Sequence, residues 1–244
     1  MRSLLVAAVA LLVPVAASGA SGKVTFLEGP ATRLAKGTTE AAALAVDGEV
    51  SDGDVVETGP KGRVEITLAD DSVVRLNESS KLVVDSVTKV EQSWNVKLTL
   101  TLGEIWSKVT RKVGPDAGYE IQTERAVAGV RGTEFVVEAA GDHEIEVLEG
   151  KVEVAVRDGE GEGAGKKFQV AKGERLRVEK GMRCTGPAAS KGERGFLKWV
   201  KGRDADRRDD RDRRSLKERR EDSRQRRNDR RELRRERLRD LLQR

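Results

Sequence analysis

The sequence contains few side chains suited to nucleophilic catalysis, with one histidine, His143, and one cysteine, Cys184, among its 244 residues. A histidine can activate a serine or cysteine nucleophile by accepting its proton. No Gly-x-Ser-x-Gly segment, which presents the serine in many hydrolases, accompanies this histidine. His143 follows Gly141 and Asp142, a combination typical of turns, and we interpret it as a turn residue.

Carboxylates and tryptophans offer a second kind of chemistry, because two carboxyl groups can hydrolyse a glycoside while an aromatic ring stacks on the sugar. Most Asp and Glu residues alternate with apolar residues, as they do on the solvent face of a strand. Trp94 and Trp106 are more typical of core or edge packing than of sugar binding. A hydrolase is therefore the function that the sequence supports least.

Two glycine-containing stretches resemble ligand loops without matching them. Residues 159–167 have Glu160 where a phosphate-binding loop needs glycine, and Lys167 where it needs serine or threonine. Asp52 and Asp54 flank a glycine, but the remaining ligands of a calcium loop are missing. The sequence therefore predicts no cofactor, no metal site and no catalytic residue.

The elements that carry these residues are predicted to be short β-strands. Stretches with alternating or consecutive Val, Leu and Ile are separated by Gly, Asp and Asn every 8 to 12 residues, as in all-β proteins. The predicted strands are 63–68, 73–76, 81–85, 94–102, 104–109, 144–148, 151–156, 168–170 and 175–178. The fold class is thus all-β, a solenoid-like or sandwich-like stack of short strands.

The most distinctive stretch, Ala126–Val137, is predicted to be a strand, a tight corner and a second strand. Gly129 and Gly132 permit backbone conformations that other residues rarely adopt. Arg131 lies between them, and we expect it either to pair with carbonyls or a carboxylate inside the fold or to meet a partner. The candidate site, structural or partner-binding, comprises Gly129, Val130, Arg131, Gly132, Thr133, Glu134 and Phe135.

Four blocks of the sequence, in order, resemble the FecR-type domain family of bacterial envelope proteins. The first is Asp52–Gly59, followed by Gly62–Val64 and Leu68–Ser72, and the second and third are Leu102–Trp106 and Ala126–Phe135. The last is Val147–Val154 with Ala171–Glu174, and all four lie within a region from about Asp47 to Gly181. The resemblance implies an all-β, solenoid-like periplasmic module that senses or binds a partner, and it supplies no catalytic residues. In the iron-uptake sensors of this family the module relays a signal to a cytoplasmic sigma factor. No cytoplasmic amino-terminal domain or clear spanning helix is expected here. The resemblance therefore implies the periplasmic module for this chain, but not the regulation of a sigma factor.

The amino terminus has the pattern of a secretory signal peptide. A basic start is followed by the apolar run Leu4–Val13 and by small residues ending in Gly19 and Ala20, after either of which cleavage is expected. We therefore expect a periplasmic or secreted protein without a stable membrane span. The alternative is an inner-membrane protein anchored by an uncleaved signal.

The carboxyl-terminal tail carries the positive charge of the chain. Residues 201–244 hold 20 of the 47 Lys and Arg but only 12 of the 42 Asp and Glu, so the tail has a net charge of +8 and the rest −3. Acid-to-base pairs at i, i+4 favour a solvated helix, whereas dense Asp and the lack of a continuous coiled-coil seam favour disorder. Export argues against nucleic acid as the partner of this tail.

The predicted domains are a signal peptide at 1–20, an all-β domain at 21–181, a linker with a short amphipathic turn at 182–202, and the charged tail at 203–244. We expect an exported, non-enzymatic module that binds or senses an envelope protein or an anionic envelope polymer. A structural protein that tethers through its cationic tail is the alternative. Cys184 is further expected either to stay a free thiol or to join two chains by a disulfide.

Overall fold

A computed structural model describes residues 20–109, 118–190 and 194–207 of the chain. The described residues form eighteen β-strands. In chain order they are β1 (Gly22–Glu28), β2 (Ala31–Leu34), β3 (Ala41–Ala43), β4 (Glu49–Val50), β5 (Val55–Thr58), β6 (Arg63–Leu68), β7 (Val73–Leu76), β8 (Lys81–Val90), β9 (Ser93–Leu102), β10 (Glu104–Lys108), β11 (Gly118–Gln122), β12 (Ala126–Val130), β13 (Glu134–Glu138), β14 (His143–Glu149), β15 (Lys151–Val156), β16 (Lys167–Ala171), β17 (Glu174–Val178) and β18 (Cys184–Ala189).

The strands form two nine-stranded sheets that stack as in a sandwich, which confirms the all-β prediction. The first sheet has the order β4-β1-β6-β7-β10-β13-β14-β17-β18, and the second has the order β3-β2-β5-β8-β9-β11-β12-β15-β16. Nearly all neighbours are antiparallel, and β9 and β11 run parallel. Apart from the edge strands β4 and β3, the strands of each sheet follow one another in chain order, because the chain passes back and forth between the two sheets. This progression accounts for the recurring Gly-containing corners in the sequence.

The hydrophobic core lies between the two sheets. Alternate residues of β6, Val64, Ile66 and Leu68, are buried in it, as expected when one face of a strand meets a core. A buried hydrogen bond of 2.7 Å joins Ser107 Oγ of the first sheet to Tyr119 Oη of the second. Burial also raises the pKa of the Tyr119 hydroxyl, so this residue stays neutral and able to donate. The hydrogen bond between Ser107 and Tyr119 therefore connects the two sheets, and it gives both buried hydroxyl groups a partner.

The β body extends further than predicted. The Gly- and Pro-containing segment that was expected to be a linker forms β18 at the edge of the first sheet, paired with β17. Pro187 is compatible with this position because an edge strand has one side without ladder partners. The boundary between the two compact units of the chain falls after Lys191.

The second unit contributes a helical segment, residues 195–207, in which the rings of Phe196 and Trp199 stack with centroids 5.7 Å apart. The predicted amphipathic turn is thus the first part of a helix. The rest of the charged tail and the signal segment lie outside the described residues. No helix in the described ranges is both long and apolar enough to cross a membrane.

Candidate functional site: the corner between β12 and β13

The predicted strand, corner and strand are present as β12, residues 131–133 and β13. Gly132 makes the corner, with a φ of +62° that favours glycine. Gly129 has a different role: it lies within β12, opposite Glu120 and Glu153 on the neighbouring strands. One of the two glycines therefore shapes the corner, and the other continues the sheet.

Arg131 is exposed at the tip of this corner. Its side chain is therefore not enclosed in the hydrophobic core. Because the corner turns the chain from the second sheet to the first, residue 131 lies at the end of the sandwich, outside both faces. At this position the guanidinium group is accessible to solvent, and both predicted roles of Arg131 stay predictions.

Thr133 and Phe135 hold the corner in place from inside. Phe135 is fully buried in the core, and Thr133 is 2% exposed. The Thr133 carbonyl accepts a hydrogen bond of 2.9 Å from the backbone N–H of Val109. Gly150, in the turn between β14 and β15, approaches so closely that a Cβ there would lie 2.4 Å from Thr133 Cγ2. The corner and the β14–β15 turn are therefore packed as one unit.

Glu134 is oriented by two neighbours on the adjacent strand β10. The indole N–H of Trp106 donates to Glu134 Oε1 at 3.1 Å, and Lys108 Nζ lies 3.5 Å from Oε2. The carboxylate is thereby held beside the corner with one neutral and one charged donor.

A polar row extends from this carboxylate across five consecutive strands of the first sheet. The Arg75 guanidinium carbon lies 4.4 Å from the centre of the Trp106 ring, and Arg75 Nε donates to Glu65 Oε2 at 2.7 Å. Thr25 Oγ1 in turn donates to Glu65 Oε1 at 2.7 Å. All these side chains lie on the face opposite the core, since their neighbours in each strand point into it. The row connects the corner to β1 through direct contacts.

The same face carries a second group of ion pairs on β14 and β17. Arg175 lies 3.2 Å from Glu144 and 2.8 Å from Glu146, and Arg177 Nε donates to Glu144 at 2.7 Å. Both carboxylates are nearly buried. Guanidinium groups neutralise them, so these carboxylates are arranged as structural ion pairs and not as the acid and base of a glycosidase.

His143 and Cys184 do not form a nucleophile–base pair. His143 is the first residue of β14, not a turn residue, and its Nδ1 lies 2.9 Å from Thr123 Oγ1. Register places Val178 of β17 between the two residues, so they are separated by two strand spacings, about 10 Å. Burial raises the pKa of the Cys184 thiol, which lowers the reactive thiolate fraction. A disulfide-linked dimer through Cys184 stays a prediction.

The carboxylates near Gly53 serve the fold. Asp54 accepts backbone N–H bonds from Ser51 at 2.8 Å and Lys36 at 3.1 Å. Asp52 accepts one from Val87 at 2.9 Å. Across the described ranges, no three His, Cys, Asp or Glu side chains converge as metal ligands would. Residues 159–165 form the loop of the β15–β16 hairpin, as their glycines indicated.

Several residues of the corner were not identified from the sequence. Lys108 and Glu149 both face Glu134 in the strand register, and Lys151 follows the glycine that packs on Thr133. We refer to Lys108, Arg131, Glu134, Glu149 and Lys151 as the corner surface. Arg131, Glu149 and Lys151 are exposed, and the Lys108 side chain is 48% exposed. A clue was present in the sequence, because the blocks at 102–106, 126–135 and 147–154 contribute neighbouring strands here.

Comparison with protein families matches residues 54–153 to the family described as "FecR protein". Among solved structures, two crystal structures from Parabacteroides distasonis, provisionally named as an anti-sigma factor, are 20% identical to this chain. The alignments cover 54% of this chain and 57% of those chains, with TM-scores of 0.45 and 0.44. No curated protein matches the sequence.

The matched range begins at Asp54 and ends at Glu153, inside the region of predicted resemblance. It includes the polar row from Glu65 to Glu134 and the whole corner from Gly129 to Phe135. Residues 54–153 of this chain therefore match the FecR domain family, which confirms the resemblance predicted from the sequence.

Proposed function

We propose that this chain is an exported, non-enzymatic module that binds a protein of the bacterial cell envelope through its corner surface. The family match supports a regulatory, non-enzymatic role. The signal-peptide pattern of residues 1–20 supports export. The observation that carries the proposal is the exposure of Arg131 on a corner that the fold holds rigidly from three sides.

Rigidity matters because binding costs less free energy when the contact residues are already ordered. Thr133 is packed against Gly150, Phe135 is in the core, and Glu134 is held by Trp106 and Lys108. Arg131 thus projects from a backbone that has little freedom left to lose. Arginine is also among the residues that contribute most to protein interfaces.

The charges of the corner surface indicate the chemistry of the partner. Three cationic side chains, Lys108, Arg131 and Lys151, outnumber the two carboxylates of Glu134 and Glu149. Arg131 and Lys151 are both exposed, and Lys108 lies beside Glu134, 3.5 Å from its carboxylate. The surface is complementary to a protein that presents carboxylates at a similar spacing.

The tail supports a second candidate function, tethering to an anionic envelope polymer. Its net charge of +8 over residues 201–244, supplied mostly by arginine, suits phosphate and carboxylate groups. In this case the β body would be carried by the tail and would not select the partner.

Affinity capture from an envelope fraction distinguishes the two functions. The full chain is compared with a chain that ends at Ser190, which retains β18 and so keeps the first sheet complete. We expect both chains to capture the same protein. Capture that disappears with the tail, and is replaced by binding of the isolated tail to anionic polymer, would instead support tethering.

A further inference from the structure

Ser21 lies directly before β1 and directly after the small residues that end the signal pattern. Ala20 is exposed, whereas Ser21 is 3% exposed. The Ser21 N–H donates to the Val50 carbonyl at 2.8 Å, and its own carbonyl accepts from the Ala69 N–H at 2.9 Å. Its hydroxyl donates to Asp52 Oδ1. Every polar group of Ser21 is therefore used by the body.

The next residue fixes this arrangement. A Cβ on Gly22 would lie 3.0 Å from Ile66 Cγ2 and 3.1 Å from the Thr67 carbonyl oxygen, so only glycine fits there without a shift. Gly22 also pairs with Val50 on one side and Leu68 on the other. The position of Ser21 is thus set by the strands and not by the residues before it.

We propose that the chain is processed between Ala20 and Ser21, and that the new α-ammonium group of Ser21 becomes an ion-pair partner of Asp52. The proposal rests on the export that is part of the proposed function. A peptidase that recognises small residues before the scissile bond hydrolyses the Ala20–Ser21 amide. The C–N bond breaks, the water oxygen goes to the Ala20 carboxylate, and the hydrogens leave Ser21 with an ammonium group.

The geometry shows why this ammonium group is stabilised. The short Cα–Cβ–Oγ linkage keeps the Ser21 nitrogen within a few ångströms of the Asp52 carboxylate, because the hydroxyl already contacts it. The Val50 carbonyl accepts one N–H of the charged group as it accepts the amide N–H. A charge-assisted contact thus replaces a neutral one after processing.

The same contacts place processing before folding. In the folded chain the N–H of the scissile amide donates a hydrogen bond to the Val50 carbonyl, and Ser21 is buried. A peptidase therefore has no access to an extended backbone at this position. Processing therefore occurs before β1 pairs with β4 and β6, while the chain is still unfolded.

The test begins with the amino-terminal sequence of the chain recovered from the exported fraction. We expect Ser21 as the first residue. An exported chain that begins elsewhere would overturn the processing site, and with it the ion pair in the exported protein, but not the proposed export. A chain that stays unprocessed in the cytoplasm would overturn both this inference and the proposed export. These two failures are therefore distinguishable.

The ion pair is tested without export, on purified chains of residues 21–244 and 20–244 released from a fusion. At pH 6.5 the chain that starts at Ser21 is expected to melt about 2–4 °C higher. The difference should disappear above about pH 10, where the amine is neutral. The difference in melting temperature should also disappear when both chains carry Asp52→Asn. Any loss of stability that this substitution causes by itself affects the two chains equally. Equal melting temperatures of the two chains at pH 6.5 would overturn the ion pair.

Discussion

The guanidinium group of Arg75 stacks on Trp106, with 4.4 Å between its central carbon and the ring centre, and both residues are fully buried. The two residues lie opposite each other on β7 and β10. Trp106 uses its N–H for Glu134, and Arg75 uses Nε for Glu65. The contact therefore links a buried ion pair to Glu134 of the corner, and it makes the orientation of the corner depend on residues far away in the sequence.

The buried pair should be far more sensitive to single than to double substitution. Arg75→Met or Glu65→Leu alone leaves one buried charge without its partner, and each is expected to cost about 3–5 kcal/mol of unfolding free energy. The double variant removes both charges and should cost much less than either. Urea denaturation of the four proteins measures this coupling. Additive losses would show that the pair is not coupled as the geometry indicates.

Thr133 should tolerate the loss of its hydroxyl. Its Oγ1 is buried and has no hydrogen-bond partner among the described residues. Thr133→Val is therefore expected to leave the unfolding free energy unchanged or to raise it by about 1 kcal/mol, because an unpaired polar group is removed.

Thr58 is the matched control, since it is also 2% exposed but donates to the Asn77 carbonyl at 2.6 Å and accepts from the Ser80 N–H at 2.9 Å. Thr58→Val should lower the unfolding free energy by about 1–3 kcal/mol, because the partners of the hydroxyl are left unpaired. Equal effects of the two substitutions would contradict the assigned difference in hydrogen bonding.

Gly150 should be the glycine least able to accept a side chain near the corner. Gly150→Ala places a methyl group 2.4 Å from Thr133 Cγ2 at a φ of +85°. Gly141→Ala is the control, because its φ is +79° and no atom lies within 4 Å of its Cβ position. Both substitutions place alanine in the left-handed conformation that favours glycine, and both should therefore lower the unfolding free energy. Gly150→Ala should lower it by about 1–3 kcal/mol more, because its methyl group is also overpacked. Similar losses would mean that the close approach is not maintained in solution.

His143 should make the body less stable in acid. Burial is the main cause of its lowered pKa, and the cationic Arg125 adds to it, against smaller opposing effects of Glu124 and Asp142. The unfolded chain therefore takes up a proton at a higher pH than the folded chain. The stabilisation is fully present above the ordinary histidine pKa of about 6.5 and is lost as pH falls below it.

Urea midpoints measured from about pH 8 to pH 5 test this effect, because His143 is the one histidine of the chain. His143→Gln should flatten the slope around pH 6. A slope that is identical in the variant would assign the acid sensitivity to other groups.

The sequence predicted the regular part of the fold well. Eleven strands were located, including β12 and β13, because stretches such as Arg63–Leu68 and Trp94–Leu102 alternate clearly between apolar and polar residues. β2 to β5 are two to four residues long and are too short to show a period. β18 contains both Gly186 and Pro187, which resemble a linker in sequence although an edge strand accepts them.

The site was predicted only in part, for a reason that lies in the sheet order. Glu134 and Phe135 could be found from local pattern and family resemblance. Arg75 and Trp106 meet because β7 and β10 are neighbours, while β8 and β9 between them belong to the other sheet. Such a contact depends on the long-range register, which the spacing of residues along the chain does not give.

The most direct test of partner binding is capture by a chain with Arg131→Glu, compared with wild type and with Lys97→Glu, a charge reversal at an exposed position of β9. Because Arg131 is exposed, the unfolding free energy should change by at most about 1 kcal/mol. We predict that Arg131→Glu lowers the amount of captured envelope protein about tenfold or more, while Lys97→Glu leaves it unchanged. Undiminished capture by a folded Arg131→Glu chain would contradict binding through the corner surface.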